Sequence, residues 1–210
     1  MAVHKRSGIL LILMGTVLIV SALSLLLYNR QMDAQAGADA QQVLESMQSI
    51  MEGPVREETE EPDPSSTEMP VIYLEGYEYV GYLTIPKLEL ALPVMAQWDY
   101  SRLKLAPCRQ FGGAETDDLV IAAHNYRSHF GHLDQLETGD QVTFTGVDGE
   151  TYAYEVETSG ILKPDQVEEV QRSGYDLVLY TCTTGGKSRV AVFCDRTGAE
   201  TDAPDAAEGP

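Results

Sequence analysis

Asp176-Leu-Val-Leu-Tyr-Thr-Cys-Thr-Thr-Gly-Gly-Lys-Ser-Arg-Val-Ala-Val-Phe-Cys194 places two runs of strand-forming residues around a glycine-bearing turn, the pattern of a β-hairpin. The same chemistry recurs upstream. Residues 79–85 end at a proline, 118–123 form an apolar run, and 141–145 and 151–156 flank the turn former Val147-Asp-Gly149. Helical patterning here is confined to short pieces near 128–136 and 164–172. Many short strands with few helices predict a mainly β fold, a closed antiparallel barrel rather than a doubly wound sheet.

These strands fall within residues 71–197, the stretch with enough apolar patterning for an independent core. Ahead of them, residues 8–27 run twenty positions without a charge, about 30 Å as a helix and so the thickness of a bilayer's hydrocarbon. Lys5 and Arg6 precede this run and an acidic flank follows Arg30. The positive-inside rule then predicts a cytoplasmic N-terminus (1–7), a single-pass anchor over 8–28 and an extracellular remainder. A cleaved signal peptide is the competing reading, with small-residue sites near Ala34 to Ala38, but the apolar run exceeds the usual length.

Val43, Leu44, Met47, Ile50 and Met51 recur at helical spacing, which suggests a short helix, either solvated or lying against a neighbour, with a solvated stalk favoured. Residues 52–70 are rich in Pro and Glu and read as a disordered linker. Over 29–70 there are ten acids against two bases, so self-repulsion is expected to extend the tether and lift the domain off the membrane. The tail 198–210 is acidic and reads as disordered.

The 210-residue chain carries 33 acidic and 14 basic side chains, a net charge of -19. A nucleic-acid binder needs a basic stripe, and no Lys/Arg cluster is present. Three cysteines without a C-x-x-C exclude a disulfide scaffold, thioredoxin-type exchange and the common zinc ribbons.

Cys182 closes an apolar strand before a polar, glycine-bearing loop, which delivers its thiol to a rim. Arg189 opens the returning limb, where a guanidinium suits a thiolate or a developing oxyanion. His124 ends the run 119–123 in the same way and offers a proton carrier near neutral pH. Each also has a bland reading: a buried structural cysteine, a surface arginine, a hydrogen-bonded histidine. His124, His129 and His132 within nine residues raise a metal site, disfavoured because no acidic or thiolate partner stands at a ligand spacing. Gly186-Lys-Ser188 only superficially resembles a phosphate loop, because the required first glycine falls at Thr181 and a strand follows.

The order of His124 after an apolar strand, Leu179-Tyr-Thr-Cys182 closing another and Arg189 opening the next resembles the sortases, cysteine transpeptidases of Gram-positive cell envelopes. Gly81-Tyr-Leu-Thr-Ile-Pro-Lys-Leu-Glu-Leu-Ala-Leu-Pro-Val94 is similar to that family's opening strand pair, and the resemblance runs over residues 77–196. The family's Thr-Leu-x-Thr-Cys motif has Val178 in its first position here. The lack of a second apolar run makes the chain look more like protein-anchoring members than pilin-polymerising ones.

The resemblance implies an eight-stranded barrel that cleaves a Leu-Pro-x-Thr-Gly-like sorting signal through a thioacyl enzyme and passes the acyl group to an amine of a cell-wall precursor or surface protein. It implies Cys182 as nucleophile, His124 as proton carrier and Arg189 as oxyanion and substrate partner, with Thr181 and Asn125 touching substrate. No cofactor or metal is implied. A cysteine protease or amidase with the same residues, and a non-catalytic tethered surface module, are the alternatives. Reference pKa values of about 6.5 for an imidazole and 8.5 for a thiol make the charged pair a minority form at neutral pH, with a bell-shaped rate profile. Cys108 and Cys194 are expected to be two structural thiols rather than a bridge, with Cys194 on the strand face opposite Arg189.

Overall fold

A computed structural model describes residues 2–53, 69–166 and 170–197. Most of the expected linker, the middle of one expected helical piece (167–169) and the acidic tail lie outside these residues. One helix, α1 (Ala2–Met51), precedes nine strands: β1 (Ile72–Leu74), β2 (Tyr77–Ile85), β3 (Leu90–Met95), β4 (Cys108–Phe111), β5 (Leu119–Ala123), β6 (Gln141–Gly146), β7 (Thr151–Leu162), β8 (Leu177–Cys182) and β9 (Arg189–Arg196). Among the described residues of the domain, short 3-10 turns include Leu133–Gln135 and Pro164–Gln166.

Strand order is β1-β2-β3-β4-β5-β8-β9-β7-β6, and β6 pairs back onto β2. Strands β2 to β9 therefore form a closed eight-stranded barrel, with β1 as a short hairpin arm on β2. The barrel is mixed rather than wholly antiparallel. The β3–β4 contact and the longer β5–β8 junction are parallel, because β6 and β7 are inserted between β5 and β8 and let the chain return in the same direction.

Alternation assigns the faces. Ile121, Leu179, Val192 and Cys194 join the core inside the barrel, while Val120, Ala122, Val178, Tyr180 and Ala191 form a separate apolar cluster outside it. At the closing junction, Gly81 lies opposite Gly146 beside a bulge in β2. A Cβ on Gly81 would stand 2.1 Å from the Thr145 carbonyl oxygen. Gly81→Ala must therefore part β2 from β6, at an expected cost on the order of 3 kcal/mol and a melting temperature about 10 °C lower. Thermal unfolding followed by circular dichroism checks this; an unchanged midpoint would show that the junction can move.

The helix departs most from expectation. Residues 29–51 do not stand in solvent: Ala36, Ala40, Val43, Leu44 and Met47 are buried, and a second cluster joins Val43 and Met47 to Tyr79, Met95, Ala106 and Cys108. Spacings of three and four put these residues on one face. Val43, Leu44 and Met47 each contribute about 1.5–3 kcal/mol of gross burial, which outweighs the solvated state expected from the acidic composition. The first half of α1 is apolar, exposed and long enough to cross a bilayer.

Candidate active site

Parallel pairing carries β5 and β8 side by side through Ala123 and Thr181. The ladder ends at that pair: Cys182 is the last residue of β8, and His124 follows directly on β5, one position beyond the paired residues. On the other side of β8, Cys182 pairs directly with Arg189 across the antiparallel ladder. The ends of β5 and β8 and the start of β9 thus put His124, Cys182 and Arg189 in one row along the rim. Cys182 continues the phase of Val178 and Tyr180, so the row sits at the rim of the outer apolar cluster, not in the barrel interior.

Around that cluster pack Trp98, Phe111, Leu162 and Tyr175 from neighbouring strands and loops. Val170 is buried within the cluster as well. The cluster itself is buried, and the partly exposed side chains packed around it give this face its apolar surface. Tyr180 donates its hydroxyl to Gln110 Oε1; burial first, with the Cys182 and Tyr100 charges adding to it, raises the phenol against an opposing effect from Arg189, so it stays protonated.

Cys182 is partly exposed, whereas Cys108 and Cys194 are buried and unpaired. Burial pushes each of the latter two thiols up to about 12, keeping them protonated and unreactive. They occupy separate clusters, in keeping with two structural thiols, and Cys194 faces the barrel interior, opposite in phase to Arg189.

His124 is partly buried, and that burial lowers its imidazole below the ordinary range, with the Lys104 charge acting in the same direction and the Asn125 side chain opposing. The Asn125 backbone N–H donates to Nδ1 at 3.0 Å, which leaves the neutral ring's proton on Nε2. Tyr126 stacks on the ring with centroids 4.2 Å apart. Arg189 Nη1 donates to the carbonyls of Gly186 and Ser188 at 3.2 and 3.0 Å, tying the guanidinium to the loop between β8 and β9.

Thr181, expected to touch substrate, points the other way. It is buried, and its hydroxyl donates to the Ala123 carbonyl at 2.9 Å, locking β5 to β8 one position before His124 and Cys182. Asn125 is partly exposed and lines a cleft of about 670 Å³ between the β5–β6 loop and α1, together with His124, Tyr126, Lys104 and Arg30. Of the other histidines, His129 is fully buried and His132 Nδ1 lies 3.0 Å from Gln135 Nε2. Sequence reading missed the α1 wall of this cleft; the three- and four-residue spacing of Asp33, Ala36, Gly37 and Ala40 was the available sign.

Residues 83–197 match the sortase domain, and the chain belongs to the sortase family. No curated protein sequence matches it. Among solved structures, sortase C1 from Streptococcus suis is 28% identical with a TM-score of 0.52, covering 60% of this chain and 77% of its own. A sortase D5 transpeptidase from Clostridium perfringens shares the fold at 18% identity and TM-score 0.59, over 77% of this chain and 99% of its own. Sortase A from Corynebacterium diphtheriae does so at 20% and 0.52, over 82% and 87%. Membership makes the chain a sortase-type cysteine transpeptidase in general terms.

Proposed function

We propose that this chain is a membrane-anchored transpeptidase that cuts a Leu-Pro-x-Thr-Gly-like signal and joins the acyl part to an amine of the cell wall or of a surface protein. The observation that carries this reading is the gathering of His124, Cys182 and Arg189 at adjoining strand ends, with Cys182 and Arg189 directly paired, beside partly exposed apolar side chains. In this scheme α1 crosses the membrane with the barrel outside.

Cys182 Sγ attacks the carbonyl carbon before the scissile amide. The C–N bond breaks as His124 gives a proton to the departing amine, leaving a thioester on Cys182. An acceptor amine then attacks that carbonyl, loses its proton to His124, and expels the thiolate as the C–S bond breaks. The Arg189 guanidinium stabilises the oxyanion in both steps, with the loop carbonyls of Gly186 and Ser188 aiming it. The apolar surface suits the Leu-Pro part of the signal.

The test is intact mass of the full chain mixed with a pool of sorting-signal peptides, with and without an added amine. An adduct equal to the N-terminal peptide fragment, converted to ligated peptide by the amine, is expected; free acid alone would point to a hydrolase, and neither adduct nor cleavage to a binding module. Arg189→Ala is expected to lower kcat/KM on the order of 10²-fold, with Arg189→Lys restoring part of it because an ammonium keeps charge without the planar fork. Steady-state kinetics on the peptide that forms the adduct would show this; wild-type rates in Arg189→Ala would remove the residue from the site.

A further inference from the structure

After Ala123 the chain leaves the barrel, so nothing in the β5–β8 ladder fixes His124 beyond its own peptide bond to the strand. The loop that follows is folded on itself: the Phe130 N–H donates to the His124 carbonyl at 3.2 Å, and the N–H groups of His129 and Gly131 to the Tyr126 carbonyl at 3.0 and 2.8 Å. Tyr126 lies between the rings of His124 and His129, its centroid 4.2 and 5.6 Å from theirs.

The outer end of this unit is gripped by α1. Asp33 Oδ1 accepts from the Ser128 N–H at 3.0 Å and from its hydroxyl at 2.8 Å, and the Asp33 carbonyl lies 2.9 Å from the same hydroxyl. One turn on, Gly37 leaves so little room that a Cβ there would stand 2.8 Å from Ser128 Cβ. His129, fully buried, has no partner at hydrogen-bond geometry among the described residues. Burial lowers its pKa to about 4, the nearby Ala36 carbonyl and Asp33 opposing and His124 assisting, so it packs against the helix as a neutral ring. Over the next three turns Ala40, Val43, Leu44 and Met47 are buried, which makes the helix a rigid bracket rather than a passing contact.

We propose that the anchor helix is part of the catalytic apparatus: Asp33, through Ser128 and the Tyr126 stack, is a positioning residue that holds the His124 imidazole beside Cys182. The contacts bridge 95 positions of sequence and end on the one loop that carries the proton donor. The hydrogen bonds, not the charge, do the holding, since both Ser128 donors meet a single carboxylate oxygen. This rests on the transpeptidase reading for its consequence but not for its geometry.

The experiment uses the full chain in detergent micelles and compares wild type with Asp33→Ala, Asp33→Asn, Ser128→Ala and Gly37→Leu. Two readouts need no substrate: the pH titration of the His124 imidazole by NMR, and the pH profile of Cys182 alkylation by iodoacetamide, Cys108 and Cys194 being buried. The third is the amine-transfer rate with whichever sorting-signal peptide forms an adduct on wild type. In Asp33→Ala and Gly37→Leu the His124 titration is expected to move up toward the ordinary imidazole range as the ring gains solvent, the alkylation profile to change with it, and kcat to fall at least tenfold with KM held. Ser128→Ala, which keeps the backbone N–H bond, should fall between. Asp33→Asn, whose Oδ1 still accepts both bonds, should behave as wild type.

A His124 titration and alkylation profile unaltered in both Asp33→Ala and Gly37→Leu would overturn the proposal, as would Asp33→Asn failing as badly as Asp33→Ala. If wild type forms no adduct with any peptide, the transpeptidase reading fails while the two substrate-free readouts still decide the clamp. Should Gly37→Leu not fold, Ser128→Ala and Asp33→Ala, both small truncations at a partly exposed contact, carry the test.

Discussion

Cys182→Ala is expected to abolish the thioacyl adduct and to lower peptide turnover to background, on the order of 10⁶-fold if the residues act as a unit in the way of other acyl-transfer enzymes. No other group takes over. The remaining two thiols are buried and held protonated near 12, and neither lies in the row of β5, β8 and β9. The fold should be untouched, because Cys182 is a partly exposed residue at a strand end, so melting temperatures of variant and wild type should agree within about 2 °C. Mass spectrometry of the variant after peptide treatment is the check; an adduct surviving on Cys182→Ala would move the nucleophile elsewhere.

His124→Ala is expected to lower kcat by 10²–10⁴-fold, on the order of what a positioned proton carrier contributes. It should also remove the acid limb of the pH profile. The sign follows from the environment of the ring. Burial disfavours the imidazolium and moves its pKa below the ordinary value of about 6.5, so at neutral pH most rings are uncharged and the thiolate–imidazolium pair is scarcer than reference values imply. For a mechanism that draws on that pair, the acid limb of kcat/KM marks the imidazole and is expected below pH 6.5, with the rate holding on the alkaline side until the thiol limb. A limb at or above 6.5 in wild type, or one that persists in His124→Ala, would assign it to another group.

Much of the barrel was legible because its strands are short, β-branched and punctuated by turns. Five of the nine strands coincide with sequence runs to within two residues, β7 runs six residues beyond its expected end, and the opening pair Gly81 to Val94 contains most of β2 and β3. The arm β1 and the four-residue β4 were not read, since Ile72–Leu74 and Cys108–Phe111 are too brief for alternation to show. The parallel β5–β8 junction was hidden for another reason: direction of pairing depends on how the chain returns, and 119–123 looks the same in either orientation.

Within the site, the rim positions of His124, Cys182 and Arg189 were visible as strand ends. Thr181 was misplaced because adjacency to Cys182 in sequence means the opposite face of a strand. The docking of α1 was underestimated because Asp33, Ala36, Gly37 and Ala40 are small or polar. What they contribute is close approach, which hydrophobic patterning does not register.

Thr181 and Ala123 are 58 residues apart, and their contact joins the strand ends from which Cys182 and His124 continue. Closing so long a loop is entropically unfavourable until β6 and β7 have paired between them. A chain in which β5 and β8 have not paired therefore carries Cys182 with Arg189 within reach across the local β8–β9 hairpin but without His124, and the three proposed site residues come together only when the barrel shuts. On the proposed reading, catalytic power becomes a readout of completed folding: a half-folded copy presents an ordinary cysteine, and the expected nucleophile is confined to molecules that have passed that last step.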